Sequence, residues 1–306
     1  MFRAFFIALS ESRALRNVAE RSRIGRRMSG RFVAGMSVEE ALQATVATNQ
    51  RGMSVSVDNL GENVTNLDEA RHSAQLYHDM LNELETRKLN ANVSLKLTHM
   101  GLDVDEHVAR TIADEVVAHA ARIDNFVRID MEGSAYTQKT LDFVRDLHRR
   151  PGNAGHVGAV IQAYLHRSQR DVEELCAEGI RIRLCKGAYK EPAEIAYQNK
   201  AEVDANFVRL MKSMLESGVY HGIATHDPKM IDATIEFARA KNISPKSFEF
   251  QMLYGVRRDL QEQLVRDGWG MRVYIPFGSE WYPYLMRRLA ERPANAIFIL
   301  KNVFRR

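Results

Sequence analysis

From residue 53 onward, short β-prone runs alternate with longer stretches in which apolar residues recur every three to four positions. The runs at 53–57, 92–97, 126–131, 158–163, 181–185, 222–225, 247–251 and 271–275 predict eight strands. Between them, residues 67–84, 107–121, 137–148, 169–178, 191–215, 228–241 and 257–266 carry helical periodicity. Strand-helix alternation implies parallel pairing through right-handed crossovers. Eight such units over some 240 residues fit a closed (βα)8 barrel better than an open doubly wound sheet. No Gly-x-Gly-x-x-Gly follows a strand, so nothing supports a dinucleotide-binding half. Residues 2–50 read as helices, with Phe2, Phe5, Phe6 and Leu9 on one face and a Ser37 to Glu40 capping box. The division expected is a helical arm over 1–50 and one barrel over 51–306.

Composition adds limits. The 306 residues are 45% hydrophobic and 27% charged, which excludes a disordered polypeptide. The formal charge of +4 misleads: residues 1–31 hold eight Arg against Glu11 and Glu20, so this segment carries +6 and the remainder −2. That distribution argues against a nucleic-acid-binding body and concentrates the basic charge in the arm, as either a solvated face or a surface for anionic lipid. No run reaches the ~18 apolar residues of a spanning helix, and the apolar stretch 4–9 is too short for a signal-peptide core. A cytoplasmic protein is expected, with any contact on the inner face of the membrane peripheral. Cys176 and Cys185 read as structural thiols, and no His pair has ligand spacing, so no metal is expected.

In a parallel barrel, ligands bind at the C-terminal ends of the strands, and unusual polar residues gather there. Strand 1 runs into Asp58-Asn59-Leu60-Gly61-Glu62, strand 2 ends at Lys96, and strand 3 ends in Asp130-Met131-Glu132. Strand 4 carries Gln162, strand 5 Arg183 and Lys186, strand 6 Thr225 and His226, strand 7 Glu249 and Gln251, and strand 8 Tyr274. A charge inside a β-prone run is costly to bury unless paired or ligand-bound, so this convergence points to a site. Lys96 is as well explained by pairing with Asp130 as by a ligand. A final helix after Gly278 places Tyr284, Arg287, Arg288 and Glu291 on neighbouring faces. An Arg pair there can grip a carboxylate, although spacing alone fits surface ion pairs equally.

Five stretches are more specific: Asp58-Asn59-Leu60-Gly61-Glu62, Ser94-Leu95-Lys96-Leu97, Arg183-Leu184-Cys185-Lys186-Gly187-Ala188-Tyr189, Phe248-Glu249-Phe250-Gln251-Met252-Leu253-Tyr254-Gly255 and Tyr284-Leu285-Met286-Arg287-Arg288-Leu289-Ala290-Glu291. In order and spacing they resemble the proline dehydrogenase family, both its single-activity bacterial enzymes and the matching half of the bifunctional proline-utilisation flavoenzyme. The resemblance implies a distorted (βα)8 barrel whose eighth helix sits over the strand ends. It also implies a non-covalent FAD, L-proline as substrate and a quinone as electron acceptor. By this likeness Gln162, Arg183, Lys186, Gly187, Ala188, Tyr189, Thr225 and His226 contact the flavin. Arg287 and Arg288, oriented by Glu291, bind the proline carboxylate. Tyr274, Tyr284 and Leu253 enclose the ring, Lys96 and Asp130 form a polar floor, and Glu62 is a gate that pairs with the first arginine. Where many relatives place Trp after the strand-5 motif, this chain has Lys190. Two readings compete: another flavin barrel acting on an amine or iminium, such as a folate-type reductase, and a catalytically silent barrel binding RNA through its Arg-rich arm.

Overall fold

A computed structural model of the chain describes residues 30–291, with side chains described through Met286. Eight parallel strands close in sequence order into a barrel: β1 (Ser54–Asn59), β2 (Ala91–Leu95), β3 (Val127–Ile129), β4 (Val157–Gln162), β5 (Arg181–Cys185), β6 (His221–Ala224), β7 (Phe248–Leu253) and β8 (Met271–Phe277). Helix α1 (Val38–Asn49) precedes the barrel. Helices α2 (Leu67–Thr86), α3 (Glu106–Arg122), α4 (Ser134–Arg149), α5 (Ser168–Ala177), α6 (Lys200–Glu216), α7 (Pro228–Ala240) and α8 (Arg258–Arg266) connect successive strands, and α9 (Trp281–Glu291) follows β8. No helix among the described residues is long and apolar enough to cross a membrane.

The period-2 alternation of each strand divides the residues between two environments. One parity, including Val55, Val57, Val93, Leu95, Ile129, Ile182, Leu184, Phe250 and Ile275, joins the helices in one apolar core and is essentially solvent-free. Each such side chain contributes ~1.5–3 kcal/mol by leaving water. The other parity fills the barrel. Arg183 of β5 donates to Ser56 of β1, Asp130 beyond β3 and Gln251 of β7, bonds that must cross the interior. Branched aliphatics dominate most barrel interiors; here hydrogen-bonded polar residues take that place. Two glycines make the room. A Cβ on Gly158 would meet the Arg181 carbonyl oxygen at 2.2 Å and Arg128 Nη1 at 2.7 Å, and one on Gly222 would meet Gln251 Nε2 at 2.3 Å.

Helix α1 begins with both halves of the expected capping box: Ser37 Oγ accepts from Glu40 N, and the Glu40 side chain accepts from Ser37 N. It packs on β8 and β1, in the outer position that a helix after β8 normally takes, and its Asn49 donates to the carbonyls of Met53 and Asn90 at the base of the barrel. That leaves α9 for the mouth, where Trp281, Tyr282, Tyr284, Leu285 and Met286 pack with Leu60, Phe32 and Val33. Residues 30–37 are not the helix expected over 2–50. Gly35 at φ +113° breaks the pattern, and the segment instead bonds along the end of β8 through Ala34 N to Pro276 O and Gly278 N to Gly35 O. The expected helices before residue 30 lie outside the described residues.

The helix expected over 191–215 starts only at Lys200. Pro192 lies at the start of that stretch, and Asn199 caps α6 by accepting from Ala201 N at 2.8 Å. The backbone between them pairs as an edge segment, with Ala196 bridging Leu165 and Tyr197 N donating to Tyr164 O at 2.8 Å. Strands β2 and β3 stop earlier than their β-prone runs. Lys96 opens a 3-10 turn whose Met100 N and His99 N bond its carbonyl, and Asp130 sits just past Ile129.

Candidate active site

Three groups of side chains occupy the C-terminal ends of the strands. The central one is built around Asp130. Its carboxylate accepts from Ser94 Oγ at 2.7 Å, Arg183 Nη1 at 2.7 Å and the Tyr274 hydroxyl at 2.9 Å. Arg183 also donates to Gln251 Oε1 at 2.6 Å, Ser56 Oγ at 3.1 Å and Ser94 Oγ at 3.2 Å, with its guanidinium carbon 5.2 Å from the Tyr274 ring centroid. Strand parity explains the assembly: Ser56, Ser94, Arg183, Gln251 and Tyr274 are all inward positions of their strands.

The Lys96 ammonium lies 3.1 Å from Asp58 Oδ2 and 4.0 Å from Asp130 Oδ2. The expected pairing with Asp130 is present, and Asp58, a member of the site that strand-end reasoning left without a role, is the nearer partner. Burial opposes the charged ammonium, but the carboxylates of Asp58 and Asp130 outweigh it and hold the Lys96 pKa above its ordinary value. Glu62 and Tyr189 act on the same ammonium. Burial raises the pKa of Asp58, against the pull of Lys96. Burial and the two carboxylates push the Tyr274 phenol far up. Near neutral pH, Lys96 is a fixed cation and Tyr274 a fixed donor, so neither is poised as a general base.

A second group flanks it. Gln162, 3% exposed, donates from Nε2 to the Glu132 carbonyl at 2.9 Å, and Glu132 accepts from the Thr98 hydroxyl at 2.7 Å. Burial raises the Glu132 pKa. Among the described residues, no donor reaches Gln162 Oε1. His99 fills the gap beneath Gly61 and shares a 2.7 Å contact with Ser73 Oγ. Burial and the Lys96 charge hold its pKa down to about 4.

The third group spans the ends of β5, β6 and β7. Lys186 sits between Asp204 and Asp227, and Lys200 also pairs with Asp204, so two lysines meet two carboxylates and no net cation is left over. Thr225 Oγ1 accepts from Asp227 N at 3.1 Å, and His226 Nε2 accepts from Leu253 N at 2.9 Å, which leaves the ring proton on Nδ1 and ties β6 to β7. Gly187, at φ +111°, presses on the Tyr164 ring: a Cβ there would stand 2.2 Å from it. Gly187, Ala188 and Tyr189 are exposed at the mouth.

Tyr284 belongs to the apolar cluster of α9 rather than to the Asp130 network. Arg287, Arg288 and Glu291 fall on α9 as expected, but their side chains lie outside the described residues, and so does the Glu62 to Arg287 pairing.

Comparison with known proteins adds to this geometry. The proline dehydrogenase family model matches residues 41–301. Proline dehydrogenase 2 of Bacillus subtilis (strain 168) is 39% identical over 98% of this chain and 98% of its own length. Proline dehydrogenase of Deinococcus radiodurans is 38% identical over 96% of this chain and 97% of its own. Among solved structures, proline utilization A from Bdellovibrio bacteriovorus, inactivated by N-propargylglycine, superposes with a TM-score of 0.83 at 28% identity. That match takes in 90% of this chain and 34% of that longer one. With the family model covering most of its length and full-length relatives near two-fifths identity, the chain belongs to the proline dehydrogenase family.

Proposed function

We propose that this protein oxidises L-proline to 1-pyrroline-5-carboxylate, the first step in degrading proline to glutamate, with FAD as bound oxidant and a quinone as onward electron acceptor. Family membership supports the reaction. The observation that carries the site is the network in which Lys96, Asp130, Arg183 and Tyr274 share bonds at the strand ends, under the helix that bears the two arginines. When bound, FAD would supply a two-electron sink for the hydride that leaves C5 of proline as the C5–N bond becomes a double bond, a sink that no protein side chain provides.

The residues present fit such a group. Gln162 offers an amide oxygen with no described donor, suited to a ring N–H. The Gly187 turn is bare of side chain and exposed, so a flat ring system can approach its backbone. In this reading Gln162, Arg183, Lys186, Gly187, Ala188, Tyr189, Thr225 and His226 hold the flavin. Because Lys186 is already balanced by Asp204 and Asp227, backbone N–H groups of the strand-5 turn carry more of the pyrophosphate recognition than the lysine charge does.

Arg287 and Arg288, aligned by Glu291, grip the substrate carboxylate; Tyr274, Tyr284 and Leu253 fix the ring, and Glu62 closes the entrance. Asp130 aims the Tyr274 hydroxyl through their 2.9 Å bond, and Lys96 stays an ammonium paired with Asp58. The amine proton leaves to solvent, because Lys96 stays an ammonium and Tyr274 a phenol. The Arg-rich segment 1–31 gives a cytoplasmic protein a peripheral hold on anionic lipid, where a quinone resides.

Replacing Arg287 with Met tests the assignment. Loss of one charged bidentate contact, ~1.5–3 kcal/mol, predicts a KM for proline about 10- to 100-fold higher with FAD content unchanged. An unaltered KM would overturn the role given to α9. Flavin reduction by NADH but not by proline would favour the iminium reductase instead.

A further inference from the structure

The end of the barrel opposite the strand C-termini holds a cavity of about 380 Å³, lined among others by Asn92, Phe126, Arg128, Arg181, Glu249 and Arg272. The charges on these walls do not balance. Arg272 is paired with a carboxylate: it donates to Glu249 Oε1 at 2.5 Å, and also to the Val55 carbonyl at 2.6 Å and Asn92 Oδ1 at 3.0 Å. Arg128 is not, although only 3% of it is exposed. Its Nη1 donates to the carbonyls of Ala159 and Arg181, at 2.8 and 2.6 Å, while its Nε is buried with no partner. Arg181 makes no side-chain hydrogen bond to a described residue, and its Nε is likewise buried and unmatched. The two guanidiniums lie 4.7 and 4.2 Å from the centroid of one ring, Phe126, and Arg181 also sits 4.8 Å from the Tyr220 ring.

Glu249 is the one carboxylate among these six walls, and Arg272 takes it, so three guanidiniums leave a charge of +2 inside the cavity. The outer rim adds Lys88, Glu85 and Asp124, all solvent-exposed and therefore strongly screened. Burial and the neighbouring arginines depress the pKa of Arg128. Burial does the same for Arg181, with Arg272 adding to it and Glu249 opposing. Both shifts are the signature of buried positive charge without sufficient counter-charge. The two Nε atoms are closed off from the cavity, but Arg128 Nη2 and both Nη groups of Arg181 also have no acceptor among the described residues, and such planar forks match tetrahedral oxyanions.

We propose that the base of the barrel is a binding site for a small dianionic oxyanion of the phosphate class, held between Arg128 and Arg181 with Arg272 completing the cationic wall. The volume admits a phosphate or a diphosphate. The site is separate from the mouth, and a hydrogen-bonded chain links the two ends: Glu249 accepts from Gln251 Nε2 at 2.7 Å, and Gln251 in turn accepts from Arg183.

The test titrates the full-length, FAD-loaded protein with inorganic phosphate and with diphosphate by calorimetry, at constant ionic strength, against chloride and acetate. Saturable binding of one equivalent of phosphate or diphosphate is expected, with none of chloride or acetate, and the tighter of the two binders sets the ligand size. Arg181→Gln should abolish binding while FAD content and proline turnover persist. Arg181→Lys, which keeps the charge but not the fork, should weaken it at least tenfold and serves if the Gln variant does not fold. Equal heats with chloride, or wild-type affinity in either Arg181 variant, would overturn the proposal.

Discussion

Replacing Asp58 with Asn removes the nearest counter-charge of Lys96 at almost constant volume. At 3.1 Å the attraction is on the order of 5 kcal/mol for an effective dielectric of ~20, and Asp130 at 4.0 Å still supplies about 4. Asp58 also bears a burial cost of its own, visible in its raised pKa, which the substitution relieves. The net loss should therefore fall at the lower end of the ~3–5 kcal/mol typical of a broken buried pair. Urea unfolding of wild type, Asp58→Asn, Lys96→Met and the double variant closes a cycle. Coupling of about 2–3 kcal/mol is expected, because each single variant strands the other group. Coupling below ~0.5 kcal/mol would refute the reasoning and return Lys96 to Asp130 as its main partner. The cycle also bears on activity: Asp58→Asn should lower proline turnover even with FAD fully bound, since the floor charge shifts toward Asp130.

Three further outcomes follow from the same geometry. Burial, helped by Arg128 and Arg181, holds the His221 imidazole down to about 3, and burial with Lys96 holds His99 down to about 4, whereas the unfolded chain returns both to ~6.5. Below that value the unfolded state binds more protons, so stability is present above pH ~6.5 and is lost as pH falls, by about 2–3 kcal/mol per histidine at pH ~4.5. Unfolding midpoints that do not move between pH 6.5 and 4.5 would contradict this, and His221→Gln should flatten the slope. Gly158→Ala places a methyl against the Arg181 carbonyl oxygen, a backbone atom with little room to yield, and should lower stability by ~1–3 kcal/mol in a melting experiment; a neutral result would mean that the barrel wall relaxes. Gly187→Val combines a forbidden φ of +111° with a collision on Tyr164 and should reduce FAD retention on gel filtration, and full retention would remove the strand-5 turn from the cofactor site.

The barrel was legible because outward valines, isoleucines and leucines mark each strand and because helical periodicity separates the strands at regular intervals. The interior was harder to read. Arg128 with Asp130, Arg181 with Arg183, Glu249 with Gln251 and Arg272 with Tyr274 alternate with apolar neighbours, a period-2 signal visible in the sequence, but which partner each takes depends on cross-barrel distances that no local pattern contains. Asp58 illustrates this. Its position after Val57 marks it as inward, yet only the closure of β1 on β2 brings it within 3.1 Å of Lys96. Helical periodicity over 191–199 misled because the residues that pair with that segment, Tyr164 and Leu165, lie in the turn after β4, some thirty residues earlier. The proposed flavin and proline contacts rest on motif likeness, because spacing on α9 is equally consistent with ordinary surface ion pairs.

The central claim concerns what reduces the bound flavin. The direct measurement is an anaerobic titration of the purified FAD-loaded protein with L-proline, following the visible flavin absorption. The account predicts complete bleaching as proline is added, with recovery on addition of a quinone. A flavin spectrum unchanged at saturating proline would contradict it.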